Sequence, residues 1–256
     1  MNAPADQNRQ RQAVITTSWD DGHCEDLRLA DLLESYRLPA TFYIPKQDDL
    51  LNQPVLSPAE LRALADRGFE IAAHTIHHTV LTTVSDIEAR REIEDSRRYI
   101  TDATGRDCTM FCPPQGRFTP AHAEMIRDAG YAGYRTVEMW STAPPRLHGH
   151  QLREMPTSIQ AQPQPTSSIA RNLLKRRAFA NAWLYIKHGR AAAGDWPRQT
   201  AALLDHVLAL GGVLHLWGHS WELEEFDQWE RLESVFKLLR DAADRTAFKT
   251  NTELCK

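Results

Sequence analysis

The chain has 256 residues, 42% hydrophobic and 25% charged, with a formal net charge of −4. These are the values of a soluble globular protein; they give no reason to expect nucleic acid as the main partner, and the length suits one large domain or two smaller ones. The four cysteines (Cys24, Cys108, Cys112, Cys255) form neither a C-x-x-C pair nor a dense framework, so reduced thiols are expected, and no stretch approaches the ~18 apolar residues of a transmembrane segment.

Residues 1–12 are polar and read as a disordered lead-in without the apolar segment of a secretory signal. With Met1 as the natural start, this points to the cytoplasm. Val14-Ile15-Thr16-Thr17 predicts a buried strand that stops at Asp20-Asp21-Gly22, and residues 24–36 repeat apolar positions at helical spacing. Pro39 ends that helix; Ala40 to Ile44 is a second strand. Ser57-Pro58-Ala59-Glu60 is a helix start with serine as N-cap and proline at N1. The helix ends at Gly68, and Phe69 to Ala73 forms a third strand running into His74. A charged helix over Val84–Thr101, a strand over Cys108–Cys112, a helix from Thr119-Pro120 to Gly130 and a strand over Tyr131–Thr136 continue the alternation.

Five prolines crowd residues 140–165, with a strand at Leu152–Met155. Residues 167–190 read as helical, and a further helix runs from Asp195-Trp196-Pro197 to Gly211-Gly212. Val213–Trp217 is a strand leading to Gly218-His219; Phe226–Ala243 is a helix and Ala247–Thr250 a closing strand. Strand and helix alternate almost throughout, which argues for a parallel α/β domain over residues 13–256, a closed or nearly closed barrel with seven or eight strands. The stretch around 167–195 exceeds what one crossover needs and is expected to be a helical insertion.

The notable polar residues fall at or just after the C-terminal ends of strands: Asp20, Asp21, His74, Cys112, Pro114, Gly116, Arg135 and His219. In parallel barrels that face carries the active site. His74 and His78 are one helical turn apart, so both imidazoles can face one point; with one carboxylate they suit a divalent metal, zinc first, with cobalt or manganese open. Alone, His74-x-x-x-His78 also fits a capped helix start with surface histidines, and Asp21-Gly22 also fits a plain turn. If one aspartate binds the cation, the other is free as a general base, an inventory that points to hydrolysis. His77 should point elsewhere, and His215 reads as a core residue sharing a strand face with His219. Cys112 is a candidate thiolate ligand or nucleophile, or a small packed thiol. Trp140, Trp217 and Trp221 are candidates to line a sugar cleft, or to pack.

The runs Trp19-Asp20-Asp21-Gly22, His74-Thr75-x-x-His78, Pro114-x-Gly116 and the late strand ending in His219 resemble, in order, the motifs of the polysaccharide deacetylases (carbohydrate esterase family four, NodB homology). Arg135-Thr136-Val137-Glu138 and Trp217-Gly218-His219-Ser220-Trp221-Glu222 look like a divergent branch. The resemblance covers roughly residues 13–256. It implies an irregular seven-stranded (β/α) barrel with Asp20 as general base and Asp21, His74 and His78 on the metal. It also implies His219 as general acid and the Pro114-Gln115-Gly116 loop giving the Gln115 N–H to an oxyanion. Trp140, Trp217, Trp221 and Glu222 become candidates to line the substrate site. Where the family often has an arginine to orient the base, this chain has Cys112; Arg135 is the expected substitute, with Arg117 a weaker one.

The implied activity is removal of acetyl from an N-acetylated sugar or glycan precursor, such as a sugar nucleotide or lipid-linked glycan. Hydrolysis of another non-peptide C–N bond, a non-haem iron oxygenase and a non-catalytic glycan-binding descendant are the alternatives. Residues 171–190 mix six cations with Phe179, Trp183 and Tyr185; they are expected to be a solvated face or a peripheral contact with an anionic glycan or membrane.

Overall fold

The computed structural model describes residues 12–149 and 151–256; apart from Gln12, the expected disordered lead-in lies outside them. The first half follows a strict strand–helix repeat: β1 (Ala13–Asp20), α1 (Asp26–Ser35), β2 (Thr41–Ile44), α2 (Pro58–Asp66), β3 (Glu70–Ala73), α3 (Asp86–Thr104), β4 (Met110–Phe111), α4 (Pro120–Asp128) and β5 (Gly133–Arg135). The helix starts are set locally. Ser57 and Glu60 form a reciprocal capping box ahead of Pro58, Ser85 accepts from the Glu88 N–H, and Thr119 caps α4 ahead of Pro120. Helix α3 ends at Gly105, whose φ of 71° a side chain would resist.

The second half is less regular: β6 (Arg146–His148), β7 (Leu152–Met155), β8 (Ile159–Gln160), α5 (Thr166–Lys175), α6 (Phe179–Leu184), α7 (Trp196–Leu210), β9 (Gly212–His219), α8 (Ser220–Glu225), α9 (Trp229–Asp241), β10 (Thr246–Phe248) and α10 (Asn251–Cys255). Strands β1 to β5 are parallel neighbours, and β1 pairs with β9 along its full length. Strands β7 and β8 are two ends of one run bent around Pro156. The first end pairs with β5 and the second with β9, both parallel. The Thr157 N–H donates to the Glu138 carbonyl and the Ser158 N–H to that of His215, so the bent run bridges both sides of the sheet. Proline has no N–H to give a ladder, which is why the run changes partner there. Counted as one bent strand, it completes an irregular seven-stranded barrel.

The expected closing strand near 247–250 has a different place. Strand β10 pairs with the first half of β1 at Ala13–Ile15, below the point where β2 begins at Ser18, and the ring closes through the bent run instead. Strand β6 adds an antiparallel edge to β7.

Side chains alternate between barrel interior and helix layer. Trp19 and Phe42 join the outer core, where Trp19 meets Phe236 of α9 edge to face at 6.3 Å. Tyr43, Ala72, Met110, Cys112 and Met155 form the inner cluster. Helix α10 plugs the lower end: Asn251 accepts from Thr16 Oγ1 at 2.9 Å and donates to Tyr43 at 2.8 Å.

Candidate active site

The site forms where the strands end. The register sets Asp20, the last residue of β1, opposite His219, the last of β9. Successive strand side chains point to opposite faces, but Asp21 leaves the strand with φ at 78°. That turn brings both carboxylates to one imidazole: His219 Nε2 lies 4.0 Å from Asp20 Oδ2 and 3.9 Å from Asp21 Oδ2.

His74 follows β3, and the segment to His78 is a loop with Thr75 and His78 at φ of 68° and 55°, not the helical turn expected from the spacing. The two left-handed residues fold the loop back until the rings stand 4.9 Å apart, both buried. His74 Nδ1–H donates to the Cys112 carbonyl at 2.6 Å, and His78 Nδ1–H donates to Asp48 Oδ1 at 2.7 Å. Each Nε2 lone pair is left facing Asp21 Oδ1, at 3.5 and 3.2 Å, and that oxygen has no hydrogen-bond partner. Donors bound to one tetrahedral zinc-sized ion stand roughly 3.3 Å apart, so this trio fits a divalent cation.

As protein groups alone, the three must share protons. Burial would raise Asp21, but the charges of His219, His78 and His74 around it hold it well below the usual carboxylate range. Burial would lower His74, yet the adjacent Cys112, Asp21 and Asp20 raise it well above the imidazole range, while burial and the His74 charge push His78 down. A cation held by the three would displace any proton between them.

Arg135 ends β5 fully buried beneath the cleft floor and donates Nη2 to Asp20 Oδ2. Its guanidinium carbon lies 4.6 Å from the Trp217 ring centre and 5.3 Å from that of Tyr43. Burial lowers its pKa and the Asp20 charge more than restores it, so the guanidinium stays charged. Arg117 is exposed and makes no side-chain contact with Asp20 among the described residues. His219 Nδ1–H donates to Glu222 Oε2 at 2.7 Å, and Glu222 also accepts from Gln160 and Gln162. Burial would lower the His219 imidazole; Asp21, Glu222 and Asp20 outweigh it and push it up to about 9. Trp221 Nε1–H donates to Asp21 Oδ2 at 2.9 Å, fixing the second oxygen of that carboxylate.

These groups floor a cleft of about 370 Å³. Trp217, Trp221, Val137 and Met139 give it apolar walls; Gln115, Gln160, Gln164, Ser168 and Asn172 supply neutral polar groups. Gln115 has φ at 56° within a single 3₁₀ turn, Pro114–Gly116. A Cβ on Gly116 would stand 2.3 Å from Val137 Cγ2, so only glycine lets this loop close over β5.

Several candidates take other places. Trp140 does not reach the cleft: it is fully buried at 5.0 Å from Tyr185, and a Cβ on Gly189 would fall 2.1 Å from its ring. It anchors the helices after α5 to the barrel. Glu222 is not a cleft wall but the acceptor behind His219, and Pro114 is buried behind Gln115. His77 turns away to Glu92 at 2.6 Å. Asp48, which sequence reasoning missed, binds His78 and the N–H groups of Leu50 and Leu51. Its one signal was an aspartate just past the end of β2. Leu50 and Leu51, on the cleft rim, carried no signal.

The family model for polysaccharide deacetylases matches residues 7–134. A chitooligosaccharide deacetylase of Rhizobium leguminosarum bv. trifolii is 28% identical over 144 residues, covering 55% of this chain and 62% of that protein. Across the curated relatives the matched stretch spans from 17% to 62% of their length. Among solved structures, a Mycobacterium smegmatis protein assigned to the polysaccharide deacetylases superposes with a TM-score of 0.70 at 15% identity, over 99% of this chain and 92% of that one. Puue allantoinase does so with a TM-score of 0.66 at 11% identity, over 97% and 90%. The family model thus spans half of the residues and the fold is shared along nearly the whole length: the chain belongs to the polysaccharide deacetylase family.

Proposed function

We propose that this protein is a metal-dependent hydrolase that removes acetyl groups from an N-acetylated glycan or glycan precursor. The observation that carries the reading is the meeting, on one cleft floor, of the Asp21–His74–His78 trio with a separate carboxylate and a separate imidazole. Asp21, His74 and His78 would hold the cation, which when bound supplies a Lewis acid that polarises the acetamide carbonyl and acidifies water. A two-nitrogen, one-oxygen donor set suits zinc first, then cobalt or manganese.

The other residues divide the proton work. Arg135 holds Asp20 through Oδ2, leaving Oδ1 without a partner to take the proton of the attacking water. The water oxygen bonds to the acyl carbon, the C–N bond breaks, and His219 Nε2 gives its proton to the departing amine. Acetate and an amino sugar leave, and the two side chains restore their protons through solvent. Glu222 keeps His219 Nδ1 protonated and its ring oriented, and the Gln115 N–H would donate to the developing oxyanion.

Among its lining residues the cleft has no lysine or arginine, so it suits an uncharged sugar and not a phosphate. The N-acetyl glycan named for the Rhizobium relative supports the same class. The test is acetate release from N-acetylated chito-oligosaccharides, with and without chelator. Chelator-sensitive release that is absent in Asp20→Asn supports the reading; release indifferent to chelator contradicts it. Hydrolysis of another C–N bond, as in a cyclic ureide, is the second reading, favoured by the fold shared with an allantoinase. Consumption of allantoin without acetate release from sugars would establish it instead.

A further inference from the structure

The segment between the barrel's bent strand and α7 inverts the usual rule for a surface helix. Phe179, Trp183 and Ile186 follow one another at spacings of four and three residues along α6 and the π-helical turn Tyr185–Gly189. They form one stripe, and the stripe faces outward: the three are 77%, 58% and 61% exposed, and Leu174 at the end of α5 is 73% exposed. The inward face is already filled by buried Leu184 and by Tyr185 and Gly189 against Trp140. The apolar stripe is therefore surplus to the fold.

The charge of the same segment is equally uneven. From residue 155 to residue 194 there is no Asp or Glu, and there are six Lys and Arg. The net −4 of the chain thus divides into +6 here and −10 elsewhere. Among the described residues none of the six cations is in an ion pair, although carboxylates take up many arginines on the rest of the surface. Lys187 lies over the Trp183 ring at 4.8 Å, so cation and aromatic face share one spot.

We propose that this face, built on Leu174, Phe179, Trp183 and Ile186 with Arg177 and Lys187, docks on an anionic lipid bilayer surface. Aromatic and aliphatic side chains reach the acyl boundary while lysine and arginine meet anionic headgroups. Charge selects this occupant over a second copy of the chain, since a twofold contact would set one cationic patch against its twin. A soluble polyanion would use the cations and leave the apolar stripe in water. No helix among the described residues is long and apolar enough to cross a membrane, so the contact is peripheral. Ser168 and Asn172 on another face of α5 line the catalytic cleft, so the docking face and the cleft share one helix.

The test needs neither metal nor glycan, so it stands apart from the hydrolysis reading. The full chain is sedimented with vesicles of phosphatidylcholine and with vesicles of phosphatidylcholine mixed with phosphatidylglycerol. Binding is expected only to the mixed vesicles, weakening as salt is raised. Phe179→Ser/Trp183→Ser and Arg177→Glu/Lys187→Glu, all at exposed positions, are each expected to lower partitioning at least about tenfold with unchanged thermal unfolding. Equal sedimentation with both vesicle types, or retention of binding by either variant, overturns the proposal. So does a concentration-dependent dimer in sedimentation velocity that the same substitutions dissolve.

Discussion

Arg135→Met keeps most of the side chain's length and removes its charge. In the wild type, Arg135 is fully buried and bonded to Asp20, which is itself 3% exposed. Asp20 Oδ1 already lacks a partner, so the substitution leaves a buried carboxylate with neither oxygen satisfied. Removing one member of a buried pair costs about 3–5 kcal/mol. Two guanidinium nitrogens, Nε and Nη1, also lack partners and their penalty disappears with them, which favours the lower end, about 3 kcal/mol. In a protein of this size that lowers the melting temperature by roughly 6–12 °C. Asp20→Asn in the same background removes the stranded charge, so the double variant should regain most of the loss, a coupling of about 2 kcal/mol or more. Acetate release should fall about a hundredfold in Arg135→Met as the base loses its fixed position, while Arg117→Met stays near wild type. Denaturant unfolding of the four-member cycle is the assay. Coupling below about 1 kcal/mol, or equal effects at Arg117 and Arg135, would refute the assignment.

His215 gives a pH dependence of stability. It is buried, with Nδ1–H on the Pro156 carbonyl and the Ser18 hydroxyl on Nε2, and burial and the Arg135 charge push it down to about 3 from an ordinary 6.5. The unfolded chain binds the proton more readily, so this contribution is full above pH 6.5 and is lost as pH falls toward about 3. About 2 kcal/mol should disappear between about pH 7 and pH 5, and denaturant midpoints of His215→Gln should flatten across that window. At the site, His219 must carry its proton to act as an acid, so kcat should fall as pH rises toward about 9. The fall comes earlier when a cation on Asp21 offsets the charge that raises His219. Glu222→Gln should move it to lower pH still, and an unmoved profile would remove Glu222 from its orienting role. Asp48→Asn should weaken metal binding about 10–100-fold in competition with a chromophoric chelator, whereas the exposed neighbour in Asp49→Asn should not.

The first five strands and four helices were legible because each carries its own period, and because proline, glycine and capping residues mark the ends. The bent run 152–160 was half legible: Leu152–Met155 read as a strand, but the two-residue β8 beyond Pro156 has too little length to show a pattern. Helix α10 was hidden for another reason. Its role depends on Asn251 meeting Thr16 and Tyr43, more than 200 residues away in sequence. In the site, residue types were readable and backbone turns were not. Asp20 and Asp21 should face opposite ways on a strand, and His74 and His78 read as one helical turn. Left-handed backbone at Asp21, Thr75 and His78 decides both cases, and nothing in those residue types announces it. Trp140 was misplaced because aromatic side chains suit a sugar cleft and a core equally, and only Gly189 pressed against its ring shows which.

The most direct measurement is acetate release from N-acetylated chito-oligosaccharides by the metal-stripped protein as one divalent cation is titrated back. The expected result is no release at the start, full release at one cation per chain, and none at any loading in Asp21→Ala or His78→Ala. Release by the stripped protein at the loaded rate, or a wild-type response to cation that both variants retain, would contradict the placement of the metal on Asp21, His74 and His78.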